Sequence, residues 1–286
     1  MDADRLRATK LFVRERMEDG TRAYREAFDR TLPLVERLFT VSRDLADFGD
    51  DLLHREPGVL HAARYLAAPP ISADDLVTLV GRSPGRRVDA DLSRVLAGVL
   101  RASWDPVRFP WLCRRRSPTQ QERDAAVNWT ASIWAIEQLR TARRTQASRR
   151  QQGAVERLLL EAGFTLEASL RTVGSLDDLP RGHFARECQI AGTKCDVPIR
   201  LRDGRLLALE CKVSNSALNS VKRLLRETGG KARQWAAAYG EQIVTGAVLA
   251  GVFKLHNLVD AQETYKVSIF WEHDLTPLVD FLSAAA

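Results

Sequence analysis

Cys195-Asp196-Val197-Pro198-Ile199-Arg200-Leu201-Arg202-Asp203-Gly204-Arg205-Leu206-Leu207-Ala208-Leu209-Glu210-Cys211-Lys212 reads as two strands joined by a tight loop. On a strand alternate side chains share a face, so Glu210 and Lys212 point one way and Cys211 points the other, into a core. The run 206–209 is almost wholly apolar, as expected of a strand covered on both sides. Ending such a strand on a carboxylate and an amine costs desolvation energy unless the two are paired or bind a cation. Local pattern and composition therefore conflict at one place, and that is where chemistry is expected.

Asp196 joins that face only if the residue numbers paired across the hairpin sum to an even value. A two-residue turn at Asp203-Gly204 pairs 202 with 205 and sends Asp196 to the wrong side. A three-residue loop, Arg202-Asp203-Gly204, with Gly204 in the left-handed region, pairs 201 with 205 and sets Asp196 opposite Glu210. That loop, or an equivalent bulge lower in the hairpin, is expected.

Outward from the hairpin the texture changes at Gly163. Segments 184–190, 195–201, 205–213, 243–253 and 265–271 read as strands. A helical pattern over 216–239, interrupted at Gly229-Gly230, separates the third from the fourth, and a shorter helix follows at 275–282. Three strands joined by tight turns suggest an antiparallel meander, and the helical crossover to 243 suggests a mixed sheet.

Residues 1–145 read as helical, with apolar residues at three- and four-residue spacing, as in Leu34, Leu38, Val41 and Leu45, and in Leu92, Val95, Leu96, Val99 and Leu100. Ser72, with Asp75 three residues on, marks a helix start. From Pro118 a helical pattern runs without Pro or Gly until Gly153. The chain is thus expected to divide into a helical N-terminal region, 1–145, and a core at 146–286. The fold class is α/β (α+β), a central mixed β-sheet flanked by helices.

The residue types at the hairpin set the chemistry. Magnesium takes hard oxygen ligands and keeps several waters, so two carboxylates on neighbouring strands suffice to hold it against a phosphate. Lys212 can then orient the attacking water or stabilise developing charge. An Asp at the start of one strand, a hairpin and then Glu-x-Lys resembles the PD-(D/E)xK nuclease superfamily. The resemblance implies that Asp196 and Glu210 bind Mg2+, helped by the backbone carbonyl of Cys211. Cys195 stands where that family commonly has proline. Many members also carry a Glu on the helix before the strands; here Glu156 holds that position, and the alternative is a surface Glu paired with a neighbour. Glu161 and Glu187 are weaker candidates.

After Lys212, the residues Asn215, Asn219, Lys222, Arg223 and Arg226 fall on one helical face, with Ala217, Leu218, Val221, Leu224 and Leu225 expected on the opposite, buried one. Asparagine suits adenine, and arginine or lysine suits guanine, in the major groove. The alternative is a solvated polar face. The run 210–224 also resembles the XamI-type branch of type II restriction endonucleases, a likeness extending to Pro70-Ile71-Ser72 and to 231–240 with Trp235. It implies Mg-dependent double-strand cleavage of DNA at a short site by a homodimer. Two other readings of the same core are a structure-dependent repair or recombination nuclease and a non-cutting DNA-binding module.

Composition, 45% hydrophobic and 28% charged, is that of an ordinary soluble globular protein. Between Cys113 and Arg150 lie Arg114, Arg115, Arg116, Arg123, Arg140, Arg143, Arg144, Arg149 and Arg150 against Glu122, Asp124 and Glu137, a local excess equal to the +6 of the whole chain. Such a stripe suits phosphate, though a solvated helix face would look the same. No apolar stretch spans a bilayer, and a cytoplasmic protein with no membrane partner is expected. The 4 cysteines, with no Cys-x-x-Cys pair, read as buried thiols. Gly229-Gly230-Lys231 lacks the earlier glycine of a P-loop, so no nucleotide cofactor is expected, and His256-Asn257 lacks a second histidine for an HNH site. Asp44, Asp47, Asp50 and Asp51 read as a solvated acidic helix face near His54, and Trp104, Trp111, Trp129 and Trp134 as helix-packing core.

Overall fold

The computed structural model describes residues 1–85 and 87–285, the side chain of Arg144 excepted. The chain forms two compact units, Asp19–Ala142 and a second made of Met1–Glu18 with Arg143–Ala286.

In the first unit, helices Gly20–Val41, Ala73–Val80, Ala90–Ala102 and the start of Gln120–Glu161 surround a core that includes Leu38, Phe39, Leu53, Leu66, Leu96 and Trp111. Ser72 caps its helix by accepting from the Asp75 amide at 2.9 Å, and Gly81 closes that helix at φ +77°. The acidic residues near His54 do not share a helix. The chain turns at Arg43, Asp44 and Leu45, all at positive φ, and Asp44, Asp47, Asp50 and Asp51 pair with Arg123, Arg43, Arg101 and Arg55. Of the four tryptophans, Trp111 and Trp134 are buried and Trp104 packs edge-on to Phe48, but Trp129 is 51% exposed. In the arginine stripe, Arg116, Arg123, Arg140 and Arg150 are tied to Glu122, Asp44, Glu137 and Glu272, which takes part of its charge away from any ligand.

The second unit holds the strands β1 (Thr165–Leu166), β2 (Thr172–Val173), β3 (His183–Phe184), β4 (Cys188–Ile190), β5 (Thr193–Cys195), β6 (Val197–Arg200), β7 (Leu206–Ser214), β8 (Ile243–Gly251) and β9 (Ser268–Trp271). Six form a mixed sheet in the order β1-β3-β6-β7-β8-β9, antiparallel at β3–β6 and β6–β7 and parallel from β7 to β9. The remaining three form a small sheet, β2-β4-β5. The expected single strand over 184–190 is therefore broken at 185–187, and its second half leaves the main sheet through a hairpin turning at Ala191 and Gly192, both at positive φ. Helix Gln120–Glu161 continues through Gly153 and carries Glu156.

The opening helix Asp2–Glu18 belongs to the sheet-bearing unit rather than to the helical N-terminal region. Ala8 is buried among Leu224, Leu249 and Phe253, and Arg150 bonds both Glu15 and Glu272. Its own apolar spacing is weak, so only the partner surface defines where it packs.

Gly229-Gly230 does not interrupt the helix after β7. Ala217–Ser220 passes into a π-helical stretch, Val221–Gly229, and on into Gly230–Tyr239. Gly229 is there for space: a Cβ at this position would fall 2.5 Å from Tyr265 Cδ1. In the π stretch the Thr228 hydroxyl donates to the Arg223 carbonyl five residues back at 3.1 Å.

Candidate active site

The β6–β7 hairpin pairs Val197 with Leu209 and Arg200 with Leu206, an even register that continues to Leu201 and Arg205. The Leu201 amide donates to the Arg205 carbonyl at 2.8 Å, and Gly204 sits at φ +98°. The connection is thus the three-residue loop that the parity argument requires, and Asp196 comes onto the face of Glu210.

The two faces of β7 then separate by residue. Leu207, Leu209 and Cys211 enter the core with Val155, Leu159 and Val248. Leu206 and Ala208 enter the core on the other face with Cys195 and Trp235. By the pleat, Glu210 and Lys212 emerge on this second face, beyond Ala208. The β6 ladder ends at Val197, while β7 runs on to Ser214 paired with β8, so Glu210, Cys211 and Lys212 have a free edge on the β6 side.

Asp196 fills part of that edge. Its Oδ2 accepts from the Cys211 amide at 2.7 Å and from Lys212 Nζ at 3.1 Å. Glu210 Oε2 lies 2.6 Å from the same Nζ. The two carboxylates therefore converge on one nitrogen. Because the N–H and C=O of a strand residue point to the same side, the Cys211 carbonyl lies along the same edge as Asp196.

A fourth group completes the cluster. Lys231, one residue into helix Gly230–Tyr239, donates to Glu210 Oε1 at 3.0 Å and Oε2 at 2.8 Å. Its helix is held against the small sheet, where Trp235 Nε1 donates to the Ile190 carbonyl at 3.0 Å and Gln234 Nε2 to the Ala191 carbonyl at 2.8 Å. Sequence reasoning missed Lys231 as a site residue. The available signal was a lysine four residues before a tryptophan on the helix that must cover β7.

Glu210 is wholly buried, whereas the side chains of Asp196, Lys212 and Lys231 are 16%, 10% and 23% exposed. Two carboxylates and two ammonium groups make a neutral quartet, which is how such charges are tolerated in an apolar sheet. Burial pulls the Lys212 ammonium toward neutrality, but Asp196 and Glu210 together outweigh it and hold its pKa above the usual lysine range. Burial likewise pushes the Cys195 and Cys211 thiols well up, so neither is a nucleophile here.

Other expected site residues lie elsewhere. Glu156 makes a bidentate pair with Arg186 at 3.1 and 2.7 Å, and this holds its carboxyl below the usual range. Glu187 pairs with Lys194, and Glu161 is exposed. Among the described residues no three His, Cys, Asp or Glu side chains form a metal-binding group, so the acidic donors at the cluster are Asp196 and Glu210.

Asn215 precedes the N-cap Ser216, which accepts from the Asn219 amide at 3.3 Å. Asn215, Asn219, Lys222 and Arg226 are exposed, and Arg223 is half-buried. Leu218, expected in the core, is 79% exposed. The residues buried on this stretch are Ser220, Leu224, Thr228 and Gly229, and Ser220 is tied to Asn257, whose Nδ2 donates to Ser220 Oγ at 2.9 Å.

The XamI restriction endonuclease family model matches residues 43–271, a span that includes all four members of the cluster. Over 188 residues the chain is 39% identical to the type II restriction enzyme XamI of Xanthomonas campestris pv. amaranthicola, covering 64% of this chain and 68% of that one. The type II restriction enzyme SalI of Streptomyces albus G is 24% identical over 301 residues, covering 95% and 93% of the two chains. Among solved structures, the protein VC1899 from Vibrio cholerae superposes with a TM-score of 0.31 at 13% identity, over 91% of this chain and 57% of that one, too distantly to carry an argument. The chain belongs to the XamI restriction endonuclease family.

Proposed function

We propose that this restriction endonuclease makes Mg-dependent double-strand cuts at a short specific DNA sequence, with Asp196, Glu210 and Lys212 as its catalytic residues. The observation that carries the reading is the convergence of Asp196 Oδ2 and Glu210 Oε2 on one cationic nitrogen, at 3.1 and 2.6 Å, beside a free strand edge. Hard oxygen donors in that arrangement suit a small divalent ion that keeps waters of its own. Asp196, Glu210 and the Cys211 carbonyl are the groups that would hold it. When bound, Mg2+ polarises a phosphoryl oxygen and lowers the pKa of coordinated water.

The chain's own residues supply the rest. Lys212 stays an ammonium because both carboxylates favour that form, so it acts as an electrostatic and hydrogen-bonding group toward the phosphate, not as a base. Glu156 stands outside this set in its pair with Arg186, and any part it takes requires that pair to open. The exposed Asn215, Asn219, Lys222 and Arg226, with Arg223, are the groups proposed to read DNA bases, and two-fold symmetric sites imply a homodimer. The reading places the enzyme in the cytoplasm, where double-stranded DNA is reached.

Incubating plasmid or phage DNA with the protein and Mg2+ tests it. Discrete fragments that vanish on adding EDTA, and in Asp196→Asn, Glu210→Gln and Lys212→Met, are expected. Cleavage at near wild-type rate in any one of these variants refutes the role given to that residue.

A further inference from the structure

Lys231 has no part in the cluster as the hairpin alone defines it, yet it reaches both oxygens of Glu210. Its Nζ bonds both carboxylate oxygens, at 3.0 and 2.8 Å, and so occupies the side of Glu210 that a bidentate cation would use. Lys212 Nζ takes Oε2 as well, at 2.6 Å. Both oxygens of the buried carboxylate are thereby in contact with an ammonium group. Lys231 differs from Lys212 in having somewhere to go. Its side chain is 23% exposed against 10%, it leaves from a helix rather than from the strand, and its Nζ lies over the Trp235 ring, 5.9 Å from the centroid. A long aliphatic stem lets the charged head move to water or to a phosphate without unfolding anything.

Charge counting gives this mobility a use. Asp196, Glu210, Lys212 and Lys231 sum to zero, so a divalent ion entering alone leaves two surplus positive charges in a low-dielectric site. A phosphodiester arriving with the ion removes one of them and offers Lys231 a new anionic partner. We infer that Lys231 is a positioning residue that holds Glu210 in place of a divalent cation until a DNA phosphate draws it away, making metal loading dependent on DNA. The inference rests on the reading of Asp196 and Glu210 as the metal ligands.

The test measures Mn2+ binding to the DNA-free protein, from the loss of the free-ion electron paramagnetic resonance signal. The wild type is expected to bind weakly. Lys231→Met and Lys231→Gln, the latter retaining a hydrogen-bond donor should the former fold poorly, are expected to bind about tenfold more tightly or better. Adding Glu210→Gln to either variant is expected to abolish the gain. Mn2+ affinities of both variants within twofold of wild type overturn the inference, as does a gain that survives Glu210→Gln. Plasmid cleavage by Asp196→Asn separates the two levels. Cleavage there removes the metal reading itself, whereas no cleavage together with unchanged Mn2+ affinity removes only the role of Lys231.

Discussion

Glu210→Gln should cost the protein both its activity and a measurable part of its stability. The Glu210 carboxylate is fully buried, 2.6 Å from Lys212 Nζ and 2.8 Å from Lys231 Nζ. Replacing it by a neutral amide of the same shape leaves Lys231 without its carboxylate partner and Lys212 with Asp196 alone, whose Oδ2 already accepts from the Cys211 amide. Breaking one partner out of a buried ion cluster costs about 3–5 kcal/mol. Lys231 can turn toward solvent, so the lower end, about 3 kcal/mol, is expected. At roughly 2–4 °C per kcal/mol for a unit of this size, the midpoint should fall by about 10 °C. Urea unfolding followed by far-ultraviolet circular dichroism measures the first quantity and a thermal scan the second. Plasmid cleavage should fall by about a thousandfold or more, since the proposed role of Glu210 joins metal binding to electrostatic preorganisation. A variant within 1 kcal/mol of wild type would refute the claim that the four charges form one coupled unit. Glu210→Gln/Lys231→Gln offers an internal check: the second substitution removes the charge that the first left unpaired, so the double variant should be destabilised by less than the sum of the single ones.

Gly204→Ala should cost about 1–3 kcal/mol and reduce cleavage disproportionately. Gly204 sits at φ +98°, a Cβ there would lie 2.8 Å from Arg181 Nη2, and a relaxed loop would alter the register that aligns Asp196 with Glu210. Unfolding midpoint and cleavage rate unchanged would show that the loop does not govern the register. Gly229→Ala should likewise destabilise by about 1–3 kcal/mol because of the Tyr265 ring, and Gly229→Ala/Tyr265→Ala should recover part of the loss. Of the 4 cysteines, Cys113 alone is exposed, so Ellman's reagent should titrate one thiol quickly in the native protein and four in denaturant. The Arg116 hydrogen bond and the Thr119 amide hold the Glu122 carboxyl at about 2, down from 4.5. A depressed folded pKa stabilises fully above the unfolded value and less as pH falls toward the folded one. The stability gap between wild type and Glu122→Gln should therefore close between about pH 4.5 and 2, and a gap independent of pH would contradict the pairing.

What could be read from sequence, and what could not, follows the range of the interactions involved. Asp196, Glu210 and Lys212 were legible because a strand pleat has period two and a hairpin has a parity, both local rules. Lys231 was not, since its contact with Glu210 depends on how a helix lies across a sheet, and no periodicity encodes that. The π-helical winding was hidden for the same reason. Gly229-Gly230 has the composition of a break, and only the Tyr265 ring, brought in by tertiary packing, reveals that Gly229 makes room. Ordinary helical spacing puts Leu218 and Leu224 in the core; Leu224 is buried as expected, whereas Leu218 is exposed and Ser220 and Thr228 are buried in its stead. The run 184–190 looked like one strand because nothing in its composition marks the point at which it changes sheets. Glu156 had a defensible place on the right helix, but Arg186 competes for it.

The neutrality of the quartet also explains why an enzyme can carry a fully buried glutamate in its central sheet and still fold before any ion is present. Three of the four charges come from Asp196 to Lys212, within one hairpin, and they alone leave a net charge of −1. The fourth comes from a helix whose anchors, Trp235 and Gln234, grip the small sheet β2-β4-β5. That small sheet thus bears on the candidate site although none of its own residues enters the cluster: it anchors the helix that carries Lys231. Loosening it through Trp235→Phe, which keeps an aromatic side chain but removes the indole N–H bonded to the Ile190 carbonyl and part of the buried ring beside Lys231, perturbs the site without removing any of its charges. Losing one such hydrogen bond costs about 1 kcal/mol and leaves a buried carbonyl short of a partner. If the anchoring matters, Mn2+ affinity in the DNA-free protein should shift in the same direction as in the Lys231 variants, and by less. A Trp235→Phe protein that is destabilised yet binds Mn2+ as the wild type does would confine the small sheet to a scaffolding role.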